Sequence, residues 1–293
     1  MLKVQLAVLV LLLSSCSLSP KKNDLESERL PSGNLVDNFL YPDGRVNRLT
    51  ELVVTPPEGY EREELQGSND MKIISWTKES AVANSPTVIY IHGNGESLST
   101  IASSQNLKWL SSRDINFIIY DFPKYGESTG ELTEKSMLEA ANLVFNSTLK
   151  KFPQSNIIVF GRSLGTAIAM QLMGQQEVRS RVQGLVLISP WTSFPDLIKN
   201  KIGFVSGAFS TEDQEYDNLA IAPHVFTPTL IIHGDEDTVI SAKLGETLAN
   251  AFPAKSSRFL LLAGLGHNDI MQTKALRDSV INFIIKVDAQ PEP

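Results

Sequence analysis

The stretch from Asn156 to Gly165, Asn-Ile-Ile-Val-Phe-Gly-Arg-Ser-Leu-Gly, constrains the fold of this chain more than any other. Four apolar residues run into Gly161-Arg162-Ser163-Leu164-Gly165, and an Ala/Met/Leu-rich helical pattern follows at once. A strand, a tight turn and a helix in that order form a nucleophile elbow, which holds a serine at the top of a sheet in a strained backbone geometry. Gly161 and Gly165 are expected because the turn brings neighbouring backbone close, where a Cβ would collide.

The rest of the chain supplies a sheet for this elbow. Leu49 to Val54 and Met71 to Trp76 read as the first, antiparallel strands, with a Pro/Gly/Glu-rich connection between them. Pro86 to Gly93 is a continuous apolar run suited to a buried central strand. Further strands are expected at Ile115 to Phe122, Ile157 to Phe160, Val182 to Ile188, Thr229 to His233 and Ser257 to Leu262. Helical spacing appears over Leu98 to Ser112, Thr133 to Lys150, Leu164 to about Gln175, Ala242 to Ala251 and Asp269 to Ile285. Strands and helices that alternate with short connections predict an α/β fold, a mostly parallel central sheet flanked by helices on both faces. Residues 192–227 break the alternation, and their apolar residues, Phe204 and Phe209 among them, are spaced like one or two short helices. They fit either a small helical lid or a plain connecting helix packed on the sheet.

A serine hydroxyl needs a base within hydrogen-bond reach, and the base needs an acid to hold its tautomer. The chain has four histidines. His267 lies in a Gly-rich loop, Ala263 to Asp269, after the last strand, at the same carboxyl edge of the sheet as Ser163. It is the expected base. The acid should fall between Ser163 and His267 in the chain. His233-Gly234-Asp235-Glu236-Asp237 offers three carboxylates, of which Asp237, at the turn into the next helix, is favoured and Asp235 and Glu236 are expected to brace the loop. Backbone N–H groups of Leu164 and Asn94 are the expected oxyanion donors, the second supplied by the His92-Gly93-Asn94-Gly95 turn after the central strand. His92 and His233 are expected to brace loops, and His224 is a weak candidate for substrate contact.

These pieces together resemble the α/β-hydrolase fold superfamily, and more narrowly its BEM46-like and depalmitoylase-like serine hydrolases. The resemblance rests on His92 to Gly95, Asp121 to Gly130, Gly161 to Gly165 with Arg162 inside it, His233 to Asp237, and Gly266-His267. It covers roughly residues 50 to 287. It implies Ser-His-Asp hydrolysis of an ester or thioester through an acyl-enzyme. No cofactor or metal is implied, and Asp121 belongs to the structural surroundings of the site. A peptidase or amidase, or a non-catalytic envelope-anchored binding protein on the same fold, are the alternatives. Glycine-rich loops of the dinucleotide or ATP type are missing.

The formal net charge of -7, with no compensating basic cluster, argues against a nucleic-acid surface. Residues 1–15 have a short positive end, an apolar run from Val4 to Leu13 too short to span a bilayer, and small residues before Cys16. They resemble a bacterial lipoprotein signal, which implies acylation of Cys16 and anchoring in the cell envelope, at the outer membrane facing the periplasm. Cys16 is the one cysteine of the chain, so no intrachain disulfide can form. Residues 16–35 are polar enough to act as a flexible tether, which leaves 36–293 for the hydrolase-type domain. The oligomeric state is not legible.

Overall fold

The structure, a computed structural model, describes residues 55–104, 107–202 and 215–289. The expected signal segment, Cys16, the tether and the strand at Leu49 to Val54 lie outside the described residues, as do Phe204 and Phe209. Eight strands form one sheet among the described residues, in the order β1-β2-β4-β3-β5-β6-β7-β8. They are β1 (Tyr60–Gln66), β2 (Lys72–Lys78), β3 (Thr87–Ile91), β4 (Asn116–Tyr120), β5 (Ile157–Arg162), β6 (Val182–Ile188), β7 (Thr229–Gly234) and β8 (Ser257–Leu262). β1 pairs antiparallel with β2, and β2 antiparallel with β4; from β4 to β8 every pairing is parallel.

β1 corrects the expectation of a Pro/Gly/Glu-rich connection before β2. Its sequence, Tyr-Glu-Arg-Glu-Glu-Leu-Gln, is mostly charged and exposed, so no apolar run announces it. Charge suits an edge position, because it discourages another chain from adding to the open side.

The parallel strands β3 to β7 are buried on both faces and alternate between two cores, while β8 at the sheet edge is only partly covered. In β5, Ile157 and Val159 face one cluster while Ile158 and Phe160 face the other. The first core takes its helical side from α3 (Glu134–Lys151), α4 (Leu164–Met173), α6 (Phe194–Ile202) and α8 (Ala242–Ala251). The second is covered by α1 (Leu98–Ser104), α2 (Lys108–Ser111) and α9 (Lys274–Asp288). Two short helices, α5 (Gln176–Arg179) and α7 (Asn218–Ile221), complete the α-helices among the described residues. Local chemistry sets the ends: Thr133 accepts from the Ser136 N–H while Ser136 Oγ accepts from the Thr133 N–H, a capping box that starts α3. The single helix expected over Leu98 to Ser112 is broken into α1 and α2. The closing helix begins later than expected, after a 3₁₀ turn at Asp269–Gln272.

From 192–227, Phe194 and Tyr216 each pack edge to face on the preceding Trp191 in the first core, and Leu197 and Ile198 are buried with them. The described ends of this segment are therefore packed connections; residues 203–214 lie outside the description.

Two close approaches tie the carboxyl edge of the sheet together. A Cβ on Gly165, in the first turn of α4, would stand 2.0 Å from the Ile91 carbonyl oxygen, and one on Gly161 would stand 2.5 Å from the Gly165 carbonyl oxygen. Helix α4 can start against the end of β3 only without side chains there. The β4 edge is held by Asp121, which is buried and accepts the Leu98 N–H at 2.7 Å through Oδ1. Gly126, at φ 51°, turns the following loop over it, where a Cβ would stand 2.0 Å from Asp121 Oδ2. His92 Nε2 faces Asp121 at 4.0 Å. Its ring stacks on Phe122 with centroids 3.8 Å apart, and Nδ1–H donates to the Gly93 carbonyl at 2.8 Å. Burial lowers the His92 pKa to about 4, so the ring is neutral. Burial also pushes the Asp121 carboxyl up to about 7, against the Leu98 hydrogen bond and with the Glu127 charge adding to the rise.

Gly165→Ala should destabilise the fold by about 3 kcal/mol or more, the upper end of overpacking costs. Gly95→Ala, where a Cβ meets nothing within 4 Å, should change stability by under ~0.5 kcal/mol; denaturant midpoints measure both. Because the folded state keeps the Asp121 proton up to about pH 7, the stability it contributes declines as pH rises from about 4 to 7. Asp121→Asn, which cannot ionise, should therefore gain stability relative to wild type between pH 5 and pH 8, by at most about 3 kcal/mol. A pH-independent difference would mean that the carboxyl titrates normally.

Candidate active site

The carboxyl ends of β5, β7 and β8 bring Ser163, Asp237 and His267 to one place. Ser163 follows β5 directly and precedes α4, with φ 51° and ψ −118°. Its N–H donates to the Ile188 carbonyl at 2.9 Å, which fixes the turn to β6. Positive φ on a serine is a strained conformation, and the surrounding backbone holds it there.

His267 Nε2 lies 3.1 Å from Ser163 Oγ, and His267 Nδ1 lies 2.7 Å from Asp237 Oδ2. Asp237 is buried, which alone would raise its pKa. Hydrogen bonds from His233 and His267, the His267 charge and the Ile240 N–H outweigh burial and hold the carboxyl far below the usual range. Its other oxygen accepts the Val239 and Ile240 N–H groups at 2.9 and 2.8 Å. An ionised carboxylate only accepts, so the proton sits on His267 Nδ1 and Nε2 is the free acceptor for the serine hydroxyl.

Of the two carboxylates beside Asp237, Glu236 is exposed and engages the loop through its backbone N–H, which donates to the Leu265 carbonyl at 3.1 Å. Asp235 Oδ1 accepts the Gly264 N–H at 2.7 Å and so braces the loop that carries His267. His233, fully buried, has Nε2 2.9 Å from the Ile240 carbonyl and 3.3 Å from Asp237 Oδ2, so Nε2 bears the proton. Gly245 makes room for this ring: a Cβ there would stand 2.4 Å from His233 Nδ1. Sequence reading missed Gly245, although a glycine inside a ten-residue helix is a signal of close approach. His224 stands in a 3₁₀ turn ahead of β7, at the amino end of the strand. Substrate contact by His224 is therefore corrected: Ser163, Asp237 and His267 gather at the opposite edge.

Asn94 and Leu164 flank the serine. A Cβ on Gly93 would stand 3.4 Å from Ser163 Cβ, so the His92 to Gly95 turn packs directly on the elbow. The Gly93 N–H is taken up by Glu96 Oε2 at 2.7 Å, and the Glu96 N–H by the Gly93 carbonyl at 3.1 Å. The Asn94 side chain accepts the Tyr125 hydroxyl at 2.7 Å. Leu164 is the first residue of α4, where an N–H has no intrahelical acceptor. Glu96 itself was not anticipated. The signal was present: Arg162 in the elbow needs an acid, and Glu96 ends the nearest loop. Among the described residues no group of three or more His, Cys, Asp or Glu side chains could hold a metal ion, and no helix is long and apolar enough to cross a membrane.

A family model described as alpha/beta hydrolase fold matches residues 86–214. Lysophosphatidylserine lipase ABHD12 of Danio rerio is 26% identical over 239 residues, covering 77% of this chain and 61% of the relative. Human alpha/beta hydrolase domain-containing protein 17B is 32% identical over 193 residues, covering 63% of this chain and 61% of the relative. The chain thus spans about three fifths of the length of these curated relatives. Among solved structures, the Pyrococcus furiosus esterase Pf2001 is similar in fold, with a TM-score of 0.67 at 18% identity over 80% of this chain and 95% of that one. With its mostly parallel sheet, its strained serine turn and these likenesses, the chain has the α/β-hydrolase fold.

Proposed function

We propose that this hydrolase is a serine esterase or thioesterase, working through Ser163, His267 and Asp237 and an acyl-enzyme. The observation that carries the reading is the unbroken line from Ser163 Oγ to His267 Nε2 at 3.1 Å and from His267 Nδ1 to Asp237 Oδ2 at 2.7 Å. In this reading His267 Nε2 takes the Ser163 proton as Oγ attacks the acyl carbonyl carbon. The new imidazolium is stabilised by Asp237, whose carboxylate is already ionised. The N–H groups of Asn94 and Leu164 receive the oxyanion. Collapse of the tetrahedral intermediate breaks the bond to the leaving alkoxide or thiolate, which departs with the proton held on His267. Water, deprotonated by the same nitrogen, then releases the acid and restores Ser163. The lipase and esterase names of the relatives favour ester substrates, and the BEM46-like and depalmitoylase-like motifs extend the reading to thioesters.

The proposal includes the setting. The apolar run Val4 to Leu13 and the small residues before Cys16 support export and acylation of Cys16, which would hold the domain on the periplasmic face of an envelope membrane.

Ser163→Ala should abolish hydrolysis of p-nitrophenyl butyrate in folded protein, and activity near wild type would sink the assignment. Asp237→Asn should lower kcat by roughly 10³- to 10⁴-fold, because the wrong tautomer of His267 is then held. A series of acyl-thioesters and aminoacyl amides beside the ester shows whether sulfur or nitrogen leaving groups are preferred. Expressed in a bacterium, Cys16→Ala should move the full-length protein from the membrane pellet to the soluble fraction and end its labelling by radioactive palmitate.

A further inference from the structure

Arg162 and Glu96 are a charged pair close to the reacting groups that the reaction above leaves without a role. Arg162 is the elbow residue before Ser163 and is only 8% exposed. Its Nη1 meets Glu96 Oε1 at 2.6 Å, and its Nη2 donates to Asn268 Oδ1 at 2.9 Å. The second oxygen of Glu96 accepts the Gly93 N–H at 2.7 Å and the Tyr90 hydroxyl at 3.2 Å. A single path of charge-assisted bonds therefore runs from Gly93 through Glu96 and Arg162 to Asn268. Three of its four members stand one residue from a working group: Gly93 beside the Asn94 N–H, Arg162 beside Ser163, and Asn268 beside His267.

A purely stabilising role explains this poorly. Taking an ion pair out of water recovers little of its desolvation cost, and apolar side chains usually fill such a space at least as well. Specific geometry is what a buried, forked guanidinium contributes: its planar donors fix two acceptors at once, which a lysine cannot do. Here the two acceptors belong to the turn that donates to the oxyanion and to the loop that carries the base.

We propose that Arg162 and Glu96 are positioning residues that hold the Asn94 N–H and the His267 imidazole in register about Ser163. The proposal rests on the reading of Ser163 as nucleophile. Removing either partner leaves all three reacting side chains and both N–H donors in the chain and loosens only their spacing. The loss therefore falls on kcat, because the oxyanion is bound in the transition state and not in the ground state.

The test uses the full chain with Glu96→Gln, Arg162→Gln, the two together, and Arg162→Lys. Each single neutral variant should lower kcat for p-nitrophenyl butyrate by roughly 10- to 100-fold, with KM within about threefold of wild type. The double variant should lose no more than the worse single one, since the two act as a unit. Amide hydrogen exchange should quicken in residues 92–98 and 264–270 in both neutral variants. Arg162→Lys should restore protection to the first segment, by meeting Glu96 as a point charge, and leave the second fast. Folded variants with kcat within twofold of wild type, additive losses, or a loss confined to KM would overturn the proposal. Should Arg162→Gln fail to fold, Glu96→Gln and Arg162→Lys decide by the same readouts. If Ser163→Ala retains activity, the nucleophile reading fails separately, and exchange unchanged in both segments then overturns the positioning role by itself.

Discussion

Ser163 is held at φ 51°, a conformation that costs a non-glycine residue about 1–3 kcal/mol, and much of the surrounding architecture exists to keep it there. The strain is sustained because the backbone on either side has no freedom to relax. Gly165 lies against the Ile91 and His92 carbonyls, Gly161 lies against Gly165, and the Ser163 N–H is spent on the neighbouring strand. Each contact is made by backbone, so none can be exchanged for a softer one by a side-chain rotamer. The result is a hydroxyl standing clear of the sheet edge, with the N-terminal N–H groups of α4 directly behind it.

Around this turn the protein arranges carboxylates by environment. Asp237, buried and met by two imidazoles and two N–H groups, stays ionised and sets the tautomer of His267. Asp121, equally deep but with a single N–H on Oδ1 and a neutral histidine facing it, holds its proton up to about pH 7. Hydrogen-bond count and local charge separate the two, since burial acts on both in the same direction. The protonated acid faces the buried His92 ring, and the ionised one is bonded to His267.

Much of this was legible from residue types and order. The glycines around Ser163, the carboxylate before Val239-Ile240 and the lone histidine in a glycine-rich loop each announce a local geometry, and that geometry carries the function. What stayed hidden were features without a local signature. β1 is a strand because β2 offers it an edge, and its charged sequence says nothing of that. Glu96 and Gly245 matter because other elements approach them: Arg162 reaches the first, and the His233 ring fills the space a Cβ on the second would need. His224 drew attention as a histidine beside a proline, yet the direction of β7 places it at the far edge.

The sequence alone determined the alternation of strand and helix, the strained serine turn, and which histidine and carboxylate could serve it, because these follow from short-range sterics and from the order of elements along a parallel sheet. Only the tertiary structure decided the distances among Ser163, His267 and Asp237, the proton on Asp121, and the bridge from Gly93 through Glu96 and Arg162 to Asn268. Those depend on burial and on contacts between residues as much as 106 positions apart, which no local pattern encodes.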